Sequence, residues 1–167
     1  MSLPIMIVDG DDRPIGSATK QQAWQEGLIH RIVRVMIEDG QGRILLQHRT
    51  PTKDIFPNCW DNSAAGHVDA GEDYKHAAVR ELKEELGLEG LAFTEIGRYR
   101  SDETLNGHRF NRFNRVYRVT AHVVPAKLEG GKVDDARWFS LEEVKRLVRD
   151  HPDQVTDGLR QVIARYY

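Results

Sequence analysis

Glu81, Glu84 and Glu85 stand three and four residues apart in the segment GHVDAGEDYKHAAVRELKEELGL, which runs from Gly66 to Leu88. An α-helix turns about 100° per residue, so a helix here would carry all three carboxylates on one face. Ala78, Val79, Leu82 and Leu86 would share another face and pack on a sheet. Like charges at this spacing cost about a few tenths of a kcal/mol each when exposed. The cost grows at the wall of a cleft, where the effective dielectric falls. A cation reverses the sign. Hard divalent ions take oxygen ligands and keep waters and substrate phosphates in their shell. The strip therefore suits Mg²⁺, with Mn²⁺ as the alternative. A solvated acidic face balanced by Arg80 and Lys83 is the plainer reading.

The helix that must position this strip is expected from about Asp73 to Leu86. Asp73 can cap its N-terminus and Gly87 can supply the left-handed residue after its end. Around it the spacing is G-x5-E-x7-R-E-L-x-E-E-x-G-L, with Gly66, Glu72 and Arg80 filling the outer positions. A pattern of this length weighs against a chance acidic face.

The chain has 167 residues, enough for one domain, 1–167, with a single core. A net charge of -2 argues against a nucleic-acid partner that relies on a broad basic field. One cysteine, Cys59, excludes an internal disulfide and a thiolate metal cage. The opening residues become acidic too early for a signal peptide, and no apolar run approaches the ~20 residues needed to cross a bilayer. A cytoplasmic protein with no membrane partner is expected.

Strands are expected at Ile5–Asp9, after the turn GDDRPIG, at His30–Asp39 and at Arg43–Arg49, the last two as a hairpin. A short helix in TKQQAWQEG should stop at Gly27. These first residues, about 1–29, read as an N-terminal extension. PTKDIFPNCWDNS reads as a loop and AAGHV as extended chain. Strands are expected again in 91–100 and 109–124. C-terminal helices should occupy about 140–166. The first opens on a capping box of Ser140 and Glu143 with a Phe139–Val144 staple, and the last carries Leu159, Val162 and Ile163 on one side. Strands that alternate with helices imply an α/β (α+β) sandwich around a mixed sheet.

The Gly66–Leu88 pattern resembles the signature of the Nudix hydrolases, with every specified position filled. The resemblance implies an α/β/α sandwich and cleavage of a diphosphate linkage in a nucleoside diphosphate derivative or related organic diphosphate. It implies Glu81, Glu84, Glu85 and the Gly66 carbonyl as metal ligands, with Glu84 or Glu85 as the catalytic base. It also implies that Glu72 and Arg80 pair to hold the loop against the helix. A homodimer is common in the family. Glu103, Glu129 and Asp134 are alternative bases outside the signature, each more readily read as a surface loop charge.

Most of the chain, about Ile5 to Val148, resembles the branch that contains isopentenyl diphosphate isomerase. There an R-x3-K pattern grips the substrate diphosphate, and Arg49 and Lys53 match it. His30 and His67 match two of that branch's metal histidines, while an earlier one is missing. The isomerase cysteine before the signature glycine is replaced by Ala65. Its strand glutamates fall near Phe113 and Arg115, and no acid lies between His108 and His122. An alanine can neither give nor take a proton. Hydrolysis is therefore the leading reading. Isomerisation of a prenyl diphosphate and non-catalytic nucleotide sensing remain as alternatives. On either side of that reading, His30 and His67 suit structural roles, and Cys59 suits a small buried site.

GHRFNRFNRVYR alternates basic or amide residues with aromatics. It reads equally as a wall that meets phosphate or base and as an edge strand protected by charge.

Overall fold

The computed structural model describes residues 3–122, 128 and 133–167. β1 (Ile5–Val8) and β2 (Pro14–Ala18) form a hairpin that leads to α1 (Lys20–Glu26). β3 (His30–Glu38), β4 (Arg43–Arg49), β5 (Trp60–Asp61) and β6 (Ala64–His67) precede α2 (Tyr74–Leu86). β7 (Thr94–Leu105) and β8 (His108–Thr120) follow. β9 (Val133–Ser140), α3 (Leu141–Asp150), a 3-10 turn (Pro152–Gln154) and α4 (Asp157–Tyr166) end the chain.

β3 is the axis of the mixed sheet. It runs parallel to β8 from His30↔Arg112 to Glu38↔Thr120, and antiparallel to β1, β4 and β6. Its side chains alternate between two faces. Val33, Val35 and Ile37 pack with Ala77, Ala78, Leu82 and Leu86 of α2. Met36 faces the other way, among Val116, Val144 of α3 and Leu159, Val162 and Ile163 of α4. The result is the α/β sandwich that the alternation of strands and helices implied.

The β3–β4 hairpin is short. The strands pair only at Ile37↔Leu45 and Glu38↔Ile44, and β6 then takes the same edge of β3 from Ile32 to Val35. Ser63 fastens this fork. Its hydroxyl accepts from the Ile37 N–H at 2.8 Å and donates to the Leu45 carbonyl.

The helix ends follow local chemistry. The Asp73 side chain accepts from the His76 N–H, and Gly87 sits at φ 68° as the C-cap of α2. Gly27, at φ 67°, stops α1, and Ser140 and Glu143 form the full capping box of α3.

Four expectations need correction. Val79 is 42% exposed, because Tyr74 and Ala77 take the inner face of α2 instead. β8 is no edge strand: β3 and β7 flank it on both sides, so its arginines serve other purposes than edge protection. Glu103 and Asp134 are not loop charges but lie in β7 and β9. β5 and β9, finally, went unforeseen in the sequence. Glu129 lies outside the described residues.

Candidate active site

α2 presents its acidic strip to a cavity of about 600 Å³. Glu81, Glu84 and Glu85 line it together with Ala65, Gly66 and His67 of β6. Lys53 and Phe56 come from the loop before β5, and Arg49 from the end of β4. Ile32 and Arg34 of β3, Phe110 and Arg112 of β8, and Thr156 and Asp157 at the start of α4 complete the wall.

Glu81 and Glu85 are buried, whereas the Glu84 side chain is 43% exposed. The Glu85 oxygens accept from the Ala65 N–H at 2.8 Å and from Gln47 Nε2 at 3.1 Å. Burial, and then the charge of Glu81, push the Glu85 carboxyl up to about 8. Two buried acids side by side are poorly compensated by those two hydrogen bonds.

Arg80 supplies part of the counter-charge. Its Nε donates to Glu72 Oε2 at 2.8 Å and its Nη2 to Glu72 Oε1 at 2.9 Å, a two-pronged pair. Nη2 also donates to the His67 carbonyl at 2.9 Å, and Nη1 to Glu81 Oε1 at 2.8 Å. Glu72 in turn accepts from the Asp69 N–H at 3.1 Å. The arginine thus ties the loop between β6 and α2 to the helix that follows it. The Glu72 hydrogen bonds, and then the charge and contact of Glu81, raise the Arg80 pKa against the opposing effect of burial.

Gly66 explains its own identity. A Cβ there would lie 2.1 Å from Glu81 Cδ, so only glycine lets the carboxylate close over the strand. Among the described residues no three acid, imidazole or thiol groups already converge on one point as a metal shell would. The donor chemistry fits a hard cation all the same: carboxylates, a backbone carbonyl, and two buried acids side by side, of which Arg80 meets Glu81.

Arg49 is largely committed to its own loop. Nε donates to the Phe56 carbonyl at 3.1 Å, Nη2 to the Ile55 carbonyl at 2.7 Å, and Nη1 lies 3.5 Å from Asp61 Oδ2. Three of its five N–H donors are thereby used.

His30 and His67 stack at 5.4 Å. His30 Nδ1 bonds the Leu28 carbonyl at 2.8 Å, and burial lowers its pKa to about 4. Burial and the His30 charge depress His67 as well, and Arg112 adds to both. Cys59 is buried against the carbonyls of Pro57 and Asp153, outside the cavity lining.

Of the basic strand β8, only Phe110 and Arg112 line the cavity. Arg115 stacks on the Tyr74 ring at 3.8 Å, Arg109 pairs with Asp102, and Arg118 approaches Glu38. Through the parallel pairing, Arg112 and Asn114 lie beside His30 and Ile32 and share their face of the sheet, whereas Phe113 and Arg115 lie on the other. Glu103 meets Asp157 and Gln161, and the hydrogen bond to Asp157 with burial pushes its carboxyl up to about 7. Asp134 pairs with His48 at 2.7 Å.

Arg34, Asp61 and Asp157 escaped the sequence reading, and Arg112 entered it only as one of the arginines of the basic strand. Arg34 had a legible signal: a charge inside the apolar run IVRVMI is costly unless it serves something. The two aspartates had none, and nothing singled out Arg112 among its strand's arginines, because their meeting depends on sheet pairing and on the return of α4.

This sandwich, with its loop and carboxylate-bearing helix, defines a diphosphate hydrolase of the Nudix class. The chain belongs to the Nudix family: a NUDIX domain model matches residues 28–165. It is 35% identical to the Nudix hydrolase PA4841 of Pseudomonas aeruginosa over 147 residues, 86% of this chain and 84% of that protein. It is 32% identical to the isopentenyl-diphosphate Delta-isomerase of Nocardia farcinica over 164 residues, 96% of this chain and 93% of the isomerase. The crystal structure of DR0079 from Deinococcus radiodurans shares the fold, with a TM-score of 0.82 at 22% identity over 98% of this chain and 99% of that one. Family members hydrolyse pyrophosphate bonds and generally need a divalent metal. No described helix is long and apolar enough to cross a membrane.

Proposed function

We propose that the protein is a Mg²⁺-dependent hydrolase of a nucleoside diphosphate derivative or related organic diphosphate, with Mn²⁺ able to substitute. Glu81, Glu84, Glu85 and the Gly66 carbonyl would hold the metal. When bound, the ion supplies charge neutralisation at the diphosphate and a more acidic water. The observation that carries this reading is the buried Glu81–Glu85 pair on one cavity wall, with Glu85 pushed up to about 8.

The remaining steps belong to the chain's own residues. Lys53 offers a mobile positive charge to the phosphates, and Arg49 the donors not spent on its loop. Arg80, clamped by Glu72, fixes the angle at which α2 delivers its acids. Glu84 or Glu85 takes the proton of the attacking water. Ile32, Trp24 and Phe110 give part of the cavity an apolar wall.

The isomerase reading loses support at the same site. Isomerisation needs one group to deliver a proton to carbon and another to remove one. Ala65 offers neither, and β8 brings Phe110 and Arg112 to the cavity but no acid.

A phosphate-release screen over diphosphate derivatives tests the reading, run with Mg²⁺, with EDTA and with Glu85→Gln. Turnover that needs the metal and drops at least about a hundredfold in the variant is expected. A folded, metal-binding protein that turns over nothing, or that converts isopentenyl to dimethylallyl diphosphate, overturns it.

A further inference from the structure

The cavity carries a second charge conflict, opposite in sign to that of α2. Arg34 and Arg112 come from neighbouring parallel strands and face the same side of the sheet. Both line the cavity. Arg34 is only 4% exposed. Its Nε donates to Asn114 Oδ1 at 3.1 Å and its Nη1 to Asn62 Oδ1 at 3.3 Å, both neutral amides. Its Nη2 is buried with no hydrogen-bond partner among the described residues, and so is Arg112 Nε.

Neighbouring acids offset the conflict only in part: Asp61 and Asp157 favour the Arg34 charge, yet its hydrogen bonds go to Asn114 and Asn62, and Arg112 has Asp157 as an ion-pair partner. Asp157 Oδ2 stands 3.6 Å from Arg112 Nη2, too long for a hydrogen bond. Asp61 accepts from Thr156 Oγ1 at 2.8 Å and is shared with Arg49. Glu103 is only partly ionised near neutral pH, since its hydrogen bond with Asp157 and burial push its carboxyl up to about 7. A buried guanidinium with an unmet N–H costs free energy that an acceptor would return. Guanidinium groups present planar forks that match phosphate oxygens. The Phe110 ring, 4.9 Å beneath the Arg112 guanidinium, holds that fork in place.

We propose that Arg34 and Arg112 form a second anion site, which takes a phosphate monoester carried by the substrate outside the diphosphate that is cleaved. The substrate is then a diphosphate with a further phosphate on one of its two halves. The choice of scissile bond rests on the hydrolase reading above; the anion site does not.

Two measurements separate these claims. The first is calorimetric titration of inorganic phosphate into the metal-free protein in EDTA. The wild type binds, and Arg112→Gln weakens binding about tenfold or more. Arg112→Lys, which keeps the charge but loses the fork, falls between the two and serves where the glutamine variant does not fold. Wild-type affinity retained in a folded Arg112 variant, or no binding by the wild type, overturns the site. The second is turnover with Mg²⁺ of matched pairs that differ by one phosphate monoester, NADPH against NADH and coenzyme A against dephospho-coenzyme A. The phosphorylated member of at least one pair is preferred about tenfold in kcat/KM, and Arg112→Gln collapses that ratio. Equal turnover within both pairs overturns the substrate assignment. Arg112-dependent phosphate binding with no turnover of any diphosphate leaves the anion site standing and sinks the hydrolase reading.

Discussion

Glu81 closes over Gly66 so tightly that a methyl group at residue 66 would fall 2.1 Å from the Glu81 carboxyl carbon. Neither partner can yield cheaply. Glu81 is held by Arg80, and Gly66 is paired to Val33 in the sheet. Gly66→Ala should therefore displace the carboxylate while the fold persists. We expect turnover to fall at least about tenfold with a weaker Mg²⁺ dependence, because a misplacement of ~1 Å is costly in a catalytic site. Steady-state kinetics across a Mg²⁺ titration checks it; unchanged metal dependence would count against Glu81 as a ligand.

Arg80 is the second point of leverage. Replacing it with lysine keeps a positive charge but loses the two-pronged grip on Glu72 and the bond to the His67 carbonyl. The expected cost is about 2–3 kcal/mol of stability, the range for hydrogen bonds between charged groups that are partly buried. Urea unfolding at neutral pH measures it. A loss below about 0.5 kcal/mol would mean that the clamp is screened like a surface pair.

Glu85→Gln should remove activity and yet stabilise the metal-free protein. Both Glu85 oxygens accept hydrogen bonds, so a glutamine amide would set a donor against a donor. Gln47 can resolve this by turning its own amide, since its Oε1 is buried without a partner among the described residues. The buried charge is then gone at the loss only of the long contact from Gln47 Nε2 to the Ser63 carbonyl, 3.4 Å. A rise of about 2–4 °C in the EDTA melting temperature at pH 8 to 9 is expected, equivalent to about 1 kcal/mol. A fall in melting temperature would show that the carboxylate is better compensated than its contacts suggest.

Glu103 sets a pH dependence away from the acidic strip. Its folded carboxyl titrates at about 7, above the 4.5 of an unperturbed glutamate. The protonated form is therefore favoured by folding. Its contribution is full below about pH 4.5 and is lost as pH rises through about 7. Asp157, its partner, is shifted downward and contributes in the opposite direction only at lower pH. Chemical unfolding from pH 5 to 8 should show this loss, and Glu103→Gln, which keeps a donor toward Asp157, should flatten it. A wild-type and variant profile of the same slope would dissociate Glu103 from that window.

Ser63→Ala tests the fork. The substitution strands the buried Ile37 N–H and Leu45 carbonyl together, at about 1–3 kcal/mol. Urea unfolding reads this directly; a neutral substitution would mean that water replaces the hydroxyl.

The carboxylate helix was legible because every part of it is local. Glu81, Glu84 and Glu85 share a face by helix geometry alone, and Asp73 and Gly87 mark its ends within one turn. The same holds for the capping box at Ser140 and for the strands whose apolar residues alternate. Arg34, Arg112 and Asp157 are different. Their residues are distant in sequence, and β8 joins β3 in parallel rather than through a hairpin whose turn could announce the register. Alternation sets Arg112 and Arg115 on opposite faces of β8 but does not say which face meets the cavity; Arg112 enters it and Arg115 stacks on Tyr74. By itself the sequence determined the acidic strip, its helix and the class of chemistry, since those depend on neighbours a few residues away. Only the tertiary structure decided which arginines meet that chemistry, because strand pairing turns a side chain toward or away from a cavity by a single residue of register.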